Sequence, residues 1–354
     1  MPRIDTLAAE SLAARILVAR ATPADIAADV AEHLTLAERS GHASHGLSIL
    51  PNYVHALAAG LLDPAARPTV SRDDTIFLAF DAHSGFGQHA GKVAVARAID
   101  RARLSGACFL TVSDSYHLGR AGHYGEMAAR AGLVYLSFIN VVGLPPMVAP
   151  YGGIEARLST NPLCMATPIA EGRAPFLLDY ATSGIAANKV RLMAAGGLAV
   201  PPGLLIDSEG RPTQDARALL GNPPGALLPF GQHKGYALGF FAELMAGVLS
   251  GGGTIAPVHP RDGGLRNNLF AIVFDPLRFG DGAAQQTEAA AFSDYVTACP
   301  PASAGGRVMV PGQPEAETEA TTGRFLEMTA PAWALFADCA SLAGLDPAGC
   351  LAPG

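Results

Sequence analysis

No stretch of this sequence is both apolar and long enough to cross a bilayer: the strongest run, Tyr236 to Leu249, is short and carries Glu243. Charge is sparse as well. Asp, Glu, Lys and Arg make up 16% of the residues, and the net charge of -7 is spread without a basic block. That distribution argues against nucleic acid or an anionic membrane surface as partner. Cysteine is scarce and unpaired, since Cys108, Cys164, Cys299, Cys339 and Cys350 are odd in number and include no Cys-x-x-Cys pair. Neither a disulfide framework nor a zinc ribbon is indicated, and a reducing cytoplasm is the expected compartment. The apolar residues of Met1 to Arg20 are interrupted by Arg3, Asp5, Glu10 and Arg15, the pattern of an amphipathic helix rather than a signal peptide. Internal repeats and low-complexity segments are also missing. What is present is a chain of 354 residues, 49% hydrophobic, with 40 Gly and 27 Pro, enough to bury a sizeable core in two intertwined lobes or one large α/β domain.

The first sixty residues have helical periodicity. Thr22 is placed to cap a helix with Pro23 and Asp25 in its first turn and Gly41 as its stop, and a second helical pattern covers Leu47 to Leu57. Beyond Pro68 strands alternate with helices. Strands are predicted at Thr75–Phe80, Cys108–Val112, Leu133–Ile139, Leu163–Thr167, Pro175–Asp179, Leu269–Phe274 and Arg307–Val310. Helices are predicted at Gln88–Leu104, Gly122–Ala131, Thr182–Ala195, Lys234–Leu249 and Glu288–Ala298, and again from near Pro314 and Pro331. The expected division is a helical segment over 1–68, an α/β core over 69–310, and a helical segment over 311–354 that packs with the first.

Gly85, Gly87 and Gly91 sit between a predicted strand and helix, as a dinucleotide-binding glycine loop would. The third glycine falls one residue late for Gly-x-Gly-x-x-Gly, so a Rossmann site is not expected. Two other segments carry more chemistry. Gly41 to Gly46 places His42, Ser44 and His45 at the junction of two predicted helices, where imidazole suits proton transfer to or from a carbonyl oxygen. A capping Ser and surface histidines are the plainer alternative. After the strand ending at Val112, Ser113 to His123 combines His117, Gly119, Arg120, Ala121 and His123 in a loop that allows close backbone approach and offers Arg120 to a phosphate or carboxylate. These histidines lack the His-Glu-x-x-His spacing, and no metal site is expected. Asp179, at a strand end, is placed to accept a ribose hydroxyl, and His233 with Lys234 to meet phosphate or ribose; a cap and a solvated charge are the alternatives. On these grounds alone the sequence defines a ligand site with histidines.

Seven motifs in order carry a more specific resemblance: Ser44-His45-Gly46, His117-Leu118-Gly119-Arg120, Met147 to Gly153, Thr160-Asn161-Pro162, Leu178 to Ser183, His233-Lys234-Gly235-Tyr236 and Val310-Pro311-Gly312. Together they resemble the type-2 malate/L-lactate dehydrogenase family over nearly the whole chain. The resemblance implies a mixed-sheet, non-Rossmann cofactor-binding domain with a helical domain built from both termini, a homodimer, and NAD(P)-dependent interconversion of 2-hydroxy and 2-oxo acids, with NAD favoured. It implies His45 as proton donor or acceptor, Ser44 as its relay partner, His117 as a second active-site imidazole and Thr160 as a substrate contact. Cofactor contacts are implied for His45, Gly119, Arg120, Ala121, Leu177, Leu178, Asp179, Tyr180, Ala181, His233, Asn267, Gly312, Gln313, Pro314 and Glu315. Reduction of cyclic imino acids and oxidation of ureidoglycolate are activities of relatives, and a non-catalytic ligand-binding homologue is the alternative of another class. Two departures stand out. Ile49 occupies the place where many members carry a carboxylate-binding arginine, which favours a bulkier or more apolar 2-oxo acid, and Lys189 falls near where some place a relay carboxylate, so no third relay residue is assigned.

Overall fold

The computed structural model describes residues 1–259 and 261–352. In chain order the elements are β1 (Arg3–Asp5), α1 (Thr6–Val18), α2 (Ala24–Arg39), α3 (Leu50–Ala58), β2 (Thr69–Asp74), β3 (Phe77–Asp81), α4 (Gly87–Ser105), β4 (Ala107–Ser115), α5 (Gly122–Arg130), β5 (Val134–Val142), β6 (Leu163–Thr167) and β7 (Phe176–Tyr180). There follow α6 (Ala187–Ala195), β8 (Leu205–Ile206), β9 (Ala226–Leu227), α7 (His233–Ala242), β10 (Arg266–Phe274), α8 (Gly282–Thr297), α9 (Gln313–Thr322), β11 (Phe325–Glu327) and α10 (Ala330–Leu342).

Among the described residues, seven strands form one mixed sheet in the order β2-β3-β4-β10-β5-β6-β7. The β3–β4 pair is parallel and the other neighbours are antiparallel. Strand β10, late in the chain, inserts between β4 and β5, so the sheet is not the doubly wound parallel kind. Buried residues of α4 and α5, among them Ala94, Ala98, Tyr124 and Ala128, pack with Leu110, Val112, Tyr135 and Ala271 of the sheet. Small residues on these helices allow close helix-to-sheet approach, which is where much of the chain's alanine goes.

A second buried cluster joins both ends of the chain: Ile4, Leu12, Ile16, Val30, Leu34 and Tyr53 pack with Leu326, Phe336, Cys339 and Cys350. Strands β1 and β11 pair across it, Ile4 opposite Leu326. Strand β11 escaped the sequence reading because three residues leave no periodicity to detect. Arg307–Val310, expected as a strand, is irregular chain, and the hairpin partner β2 was missed because all six of its residues are exposed and carry no alternating apolar face. Thr22 does not cap α2; Pro23 stands at that position, and the Thr22 hydroxyl is buried without a partner. The helix predicted for Thr182–Ala195 begins only at Ala187, and that for Lys234–Leu249 passes from α7 into a π-helical turn at Glu243–Val248. Only Gly85 lies between β3 and α4; Gly87 opens α4 and Gly91 is within its first turns, and both are packing devices: a Cβ on Gly87 would strike the carbonyls of Tyr116 and His117, and one on Gly91 the Tyr124 ring.

Candidate active site

A cleft of about 570 Å³ lies where the 3-10 turns before α3, the loop after β4, the end of β7 and the start of α6 meet. The α2–α3 junction is irregular because Ala43–His45 and Leu47–Ile49 are 3-10 turns, and this brings Ser44 Oγ to 3.0 Å from His45 Nδ1, a contact adjacent residues on a regular α-helix would not make. Gly46 is required there, since a side chain would occupy the space of the Glu38 carboxylate, which accepts the Leu47 N–H at 3.0 Å. Burial pushes the Glu38 carboxyl up to about 7.

His117 faces His45 across the cleft wall, the rings stacked 5.6 Å apart at 20°. The His117 loop is tied down on several sides: Tyr116 N–H donates to the Gly85 carbonyl at 2.8 Å, Leu118 N–H to Asn267 Oδ1 at 2.9 Å, and Arg120 N–H to His33 Nε2 at 2.8 Å. Behind the ring, the Tyr53 hydroxyl lies 2.7 Å from His117 Nδ1 and accepts a hydrogen bond from Gln88 Nε2 at 2.5 Å. With Gln88 as its donor, the hydroxyl can give its own proton to Nδ1, an arrangement that places the ring proton on Nε2. Burial, and then the neighbouring His45, push the His117 pKa down to about 3, so it is neutral at physiological pH. Burial also lowers the pKa of His45, with Arg120 acting in the same direction. Tyr53 and Gln88, which complete this chain of contacts, belong to no motif of the sequence and were not among its candidates.

Ser44, His45, His117, Gly119, Arg120, Ala121, Thr160, Asp179, Tyr180 and Ala181 all line the cleft, so residues more than 130 positions apart converge on one site. The Thr160 carbonyl accepts the Thr182 N–H at 2.8 Å and its hydroxyl at 3.0 Å. The next residue, Asn161, is fully buried at φ +33° and donates to the Gly239 carbonyl at 3.0 Å and to Glu243 at 2.8 Å. Glu243 also accepts from Asn140 at 2.9 Å and from the Ile255 N–H at 3.0 Å. The π-helical turn that starts at Glu243 thereby anchors the Thr160 wall.

Four of the expected cofactor residues are paired within the protein or stand apart from this cleft. The Arg120 guanidinium is not open to a ligand: it is 2% exposed and bonded to Glu126 at 2.8 Å, with Asp179 4.0 Å away. Asn267 is buried, its amide donating to the Asn140 carbonyl at 3.1 Å while its oxygen accepts from Leu118, so it supports the His117 loop. His233 is exposed at the start of α7 beside the Tyr151 ring and does not line the cleft. Gln313 lies on a separate cavity and pairs with Glu317.

The remaining cofactor candidates cluster. Leu177 N–H donates to the Pro311 carbonyl at 3.0 Å, and Gly312, at φ +93°, sits so close to Leu177 that no Cβ fits. This seats the start of α9, with Pro314 in its first turn, against β7 on the buried side of Leu177 while half-buried Leu178 faces the other way. Glu315 lies 3.5 Å from His42, a cleft residue, and its Oε2 is buried without a partner. Burial pushes the Asp179 carboxyl up, against the pull of Arg120 and of the Gly122 N–H that it accepts at 2.6 Å.

Among the described residues no group of three His, Cys, Asp or Glu side chains is gathered as metal ligands would be, and no helix is long and apolar enough to cross a membrane. A family model for malate/L-lactate dehydrogenase matches residues 4–325. An L-lactate dehydrogenase of Cupriavidus necator is 50% identical over 331 residues, covering 94% of this chain and 95% of that protein. Hydroxycarboxylate dehydrogenase B of Escherichia coli K12 is 36% identical over 320 residues, 89% of this chain and 87% of that one. A solved Escherichia coli structure, described as a candidate malate/lactate dehydrogenase, superposes with a TM-score of 0.93 at 33% identity, covering 98% of this chain and 97% of the other. With half its residues shared with one relative over nearly the full length, and the family pattern running through sheet, cleft and terminal helices alike, the chain belongs to the malate/L-lactate dehydrogenase family of oxidoreductases.

Proposed function

We propose that this protein is an NAD(P)-dependent dehydrogenase that interconverts a 2-hydroxy acid and its 2-oxo acid, with His45 as general acid and base. The observation that carries the reading is the pair of imidazoles in one cleft, one bonded to a hydroxyl and the other held neutral with its Nε2 proton available. A nicotinamide cofactor fits the residues present: the Gly119–Ala121 backbone borders the cleft, Asp179 retains a carboxylate oxygen for a ribose hydroxyl, and the unpartnered buried Glu315 oxygen calls for a donor. We take NAD as the favoured form, as the family resemblance implies.

The cofactor supplies or removes the hydride at C2. His45 donates a proton to the carbonyl oxygen as negative charge develops on it, and in the oxidative direction takes that proton from the hydroxyl. Ser44 orients the His45 ring and can relay the proton from Nδ1. His117, too weak a base to carry a proton at neutral pH, donates an Nε2 hydrogen bond to the same oxygen and polarises the carbonyl. Thr160 contributes a hydroxyl to the opposite wall.

A homodimer is proposed as well. Phe240, Phe241, Leu244, Val248 and Leu249 leave α7 and its π-helical extension with large apolar side chains, each at least 40% exposed, a surface that a second copy would cover. The five free cysteines, four of them buried, suit a reducing cytoplasm. Initial rates with NADH and NADPH across a panel of 2-oxo acids and cyclic imino acids test the assignment. It predicts turnover of 2-oxo acids without added metal, and activity confined to the cyclic imines, or none, rejects it.

A further inference from the structure

A 2-oxo acid brings a carboxylate into the cleft, and the usual receiver is absent: position 49 is isoleucine, 8% exposed on the cleft wall. The other basic groups lining the cleft do not fill the role. Arg120 is neutralised by Glu126 and Asp179, His42 lies against Glu315, and burial keeps His45 and His117 uncharged until they act. Asn188 and Arg191, one turn apart on α6, line the same cleft. Among the described residues Arg191 has no acidic side chain within 4.0 Å; its one recorded contact is Nη2 at 4.0 Å from Met147 Sδ, itself on the cleft wall. Because Arg191 is exposed, it carries its charge there without a desolvation cost before substrate arrives.

We propose that Arg191 receives the substrate carboxylate, with the Asn188 amide beside it, and so sets specificity for acids over neutral ketones. The proposal rests on the dehydrogenase reading above. It moves the anionic anchor from the α3 side of the cleft to the α6 side. Ile49, Leu144 and Leu265 are then left as an apolar wall for the substrate's own side chain. A planar guanidinium can take both carboxylate oxygens, which an amide or hydroxyl cannot, so the acid is held at a fixed orientation to His45.

The test compares wild type with Arg191→Met and Arg191→Lys on one 2-oxo acid and on its methyl ester, which keeps the ketone and loses the negative charge. Lys189→Met, on the same helix but exposed and off the cleft, serves as control. In Arg191→Met the KM for the acid is expected to rise about 30- to 100-fold, in line with loss of a charge-assisted bidentate contact, while KM for NADH stays within twofold. The preference for acid over ester should collapse, Arg191→Lys should recover part of it, and Lys189→Met should behave as wild type. An Arg191→Met enzyme with KM for the acid within threefold of wild type and its preference intact overturns the proposal, as does an equal loss in Lys189→Met. Failure of the dehydrogenase reading looks different, because the wild type would then turn over neither acid nor ester.

Discussion

Replacing Tyr53 by Phe removes one oxygen and interrupts the line from Gln88 to His117 without opening a cavity. The hydroxyl is fully buried, accepts from Gln88 Nε2 at 2.5 Å and lies 2.7 Å from His117 Nδ1, to which it donates in the proposed tautomer. Burial holds its pKa far above the ordinary tyrosine value, so it is a proton donor at every working pH. Two hydrogen bonds are lost, each contributing about 1 kcal/mol net, and Gln88 is left with a stranded amide inside the protein at a further cost of about 1 to 3 kcal/mol. A destabilisation of about 3 to 5 kcal/mol is expected, visible as a lower Tm by calorimetry. The functional effect follows from the tautomer. Loss of the bond to Nδ1, about 1 kcal/mol, shifts the tautomer ratio about fivefold toward Nδ1–H, so kcat for reduction falls by no more than that factor, with an unchanged KM for NADH. Nitrogen-15 shifts of His117 should change from the Nε2–H to a mixed pattern. A folded Tyr53→Phe enzyme with unaltered His117 shifts would refute the assignment of His117 as an oriented neutral donor.

His45→Asn is expected to lose roughly two to four orders of magnitude in kcat while folding normally, measured by steady-state turnover in both directions. Because burial holds the His45 pKa below 6.5, reduction, which needs the protonated ring, should weaken as pH rises through that lowered value, and oxidation, which needs the neutral ring, as pH falls through it; both limbs should vanish in the variant. With Ile49 on the cleft wall, kcat/KM should climb from pyruvate to longer or aromatic 2-oxo acids by roughly fourfold per buried methylene, about 0.8 kcal/mol each, and a marked preference for oxaloacetate would contradict this. Glu243→Ala strands donors from Asn140, Asn161 and Ile255, so a loss of about 3 kcal/mol in urea unfolding is expected, with KM for the substrate raised through the displaced Thr160 wall.

Periodicity located most helices and the buried strands, because those elements carry their packing face in their own residues: β6 was legible as Leu163–Thr167 and α5 to within a residue. It also ruled against a Rossmann site from a one-residue error in glycine spacing. Ser44, His45 and His117 stood out as polar groups at element junctions, but junction position alone left a cap and surface histidines as the alternative, and their catalytic roles came from the resemblance of the ordered motifs to the family. Whether a group is available to a ligand is decided in three dimensions. Arg120 looked like an open cation until Glu126 and Asp179 came to lie against it, and Asn267 looked like a cofactor contact until the insertion of β10 between β4 and β5 turned its amide onto the Leu118 loop. Tyr53 and Gln88, 35 positions apart, and Arg191 carried no motif that singled them out in the sequence. Sequence determines which side chains exist and which face of an element is apolar; the long-range packing of α3, α4 and α6 around one cleft decides which polar groups are paired off inside the protein and which remain for a substrate.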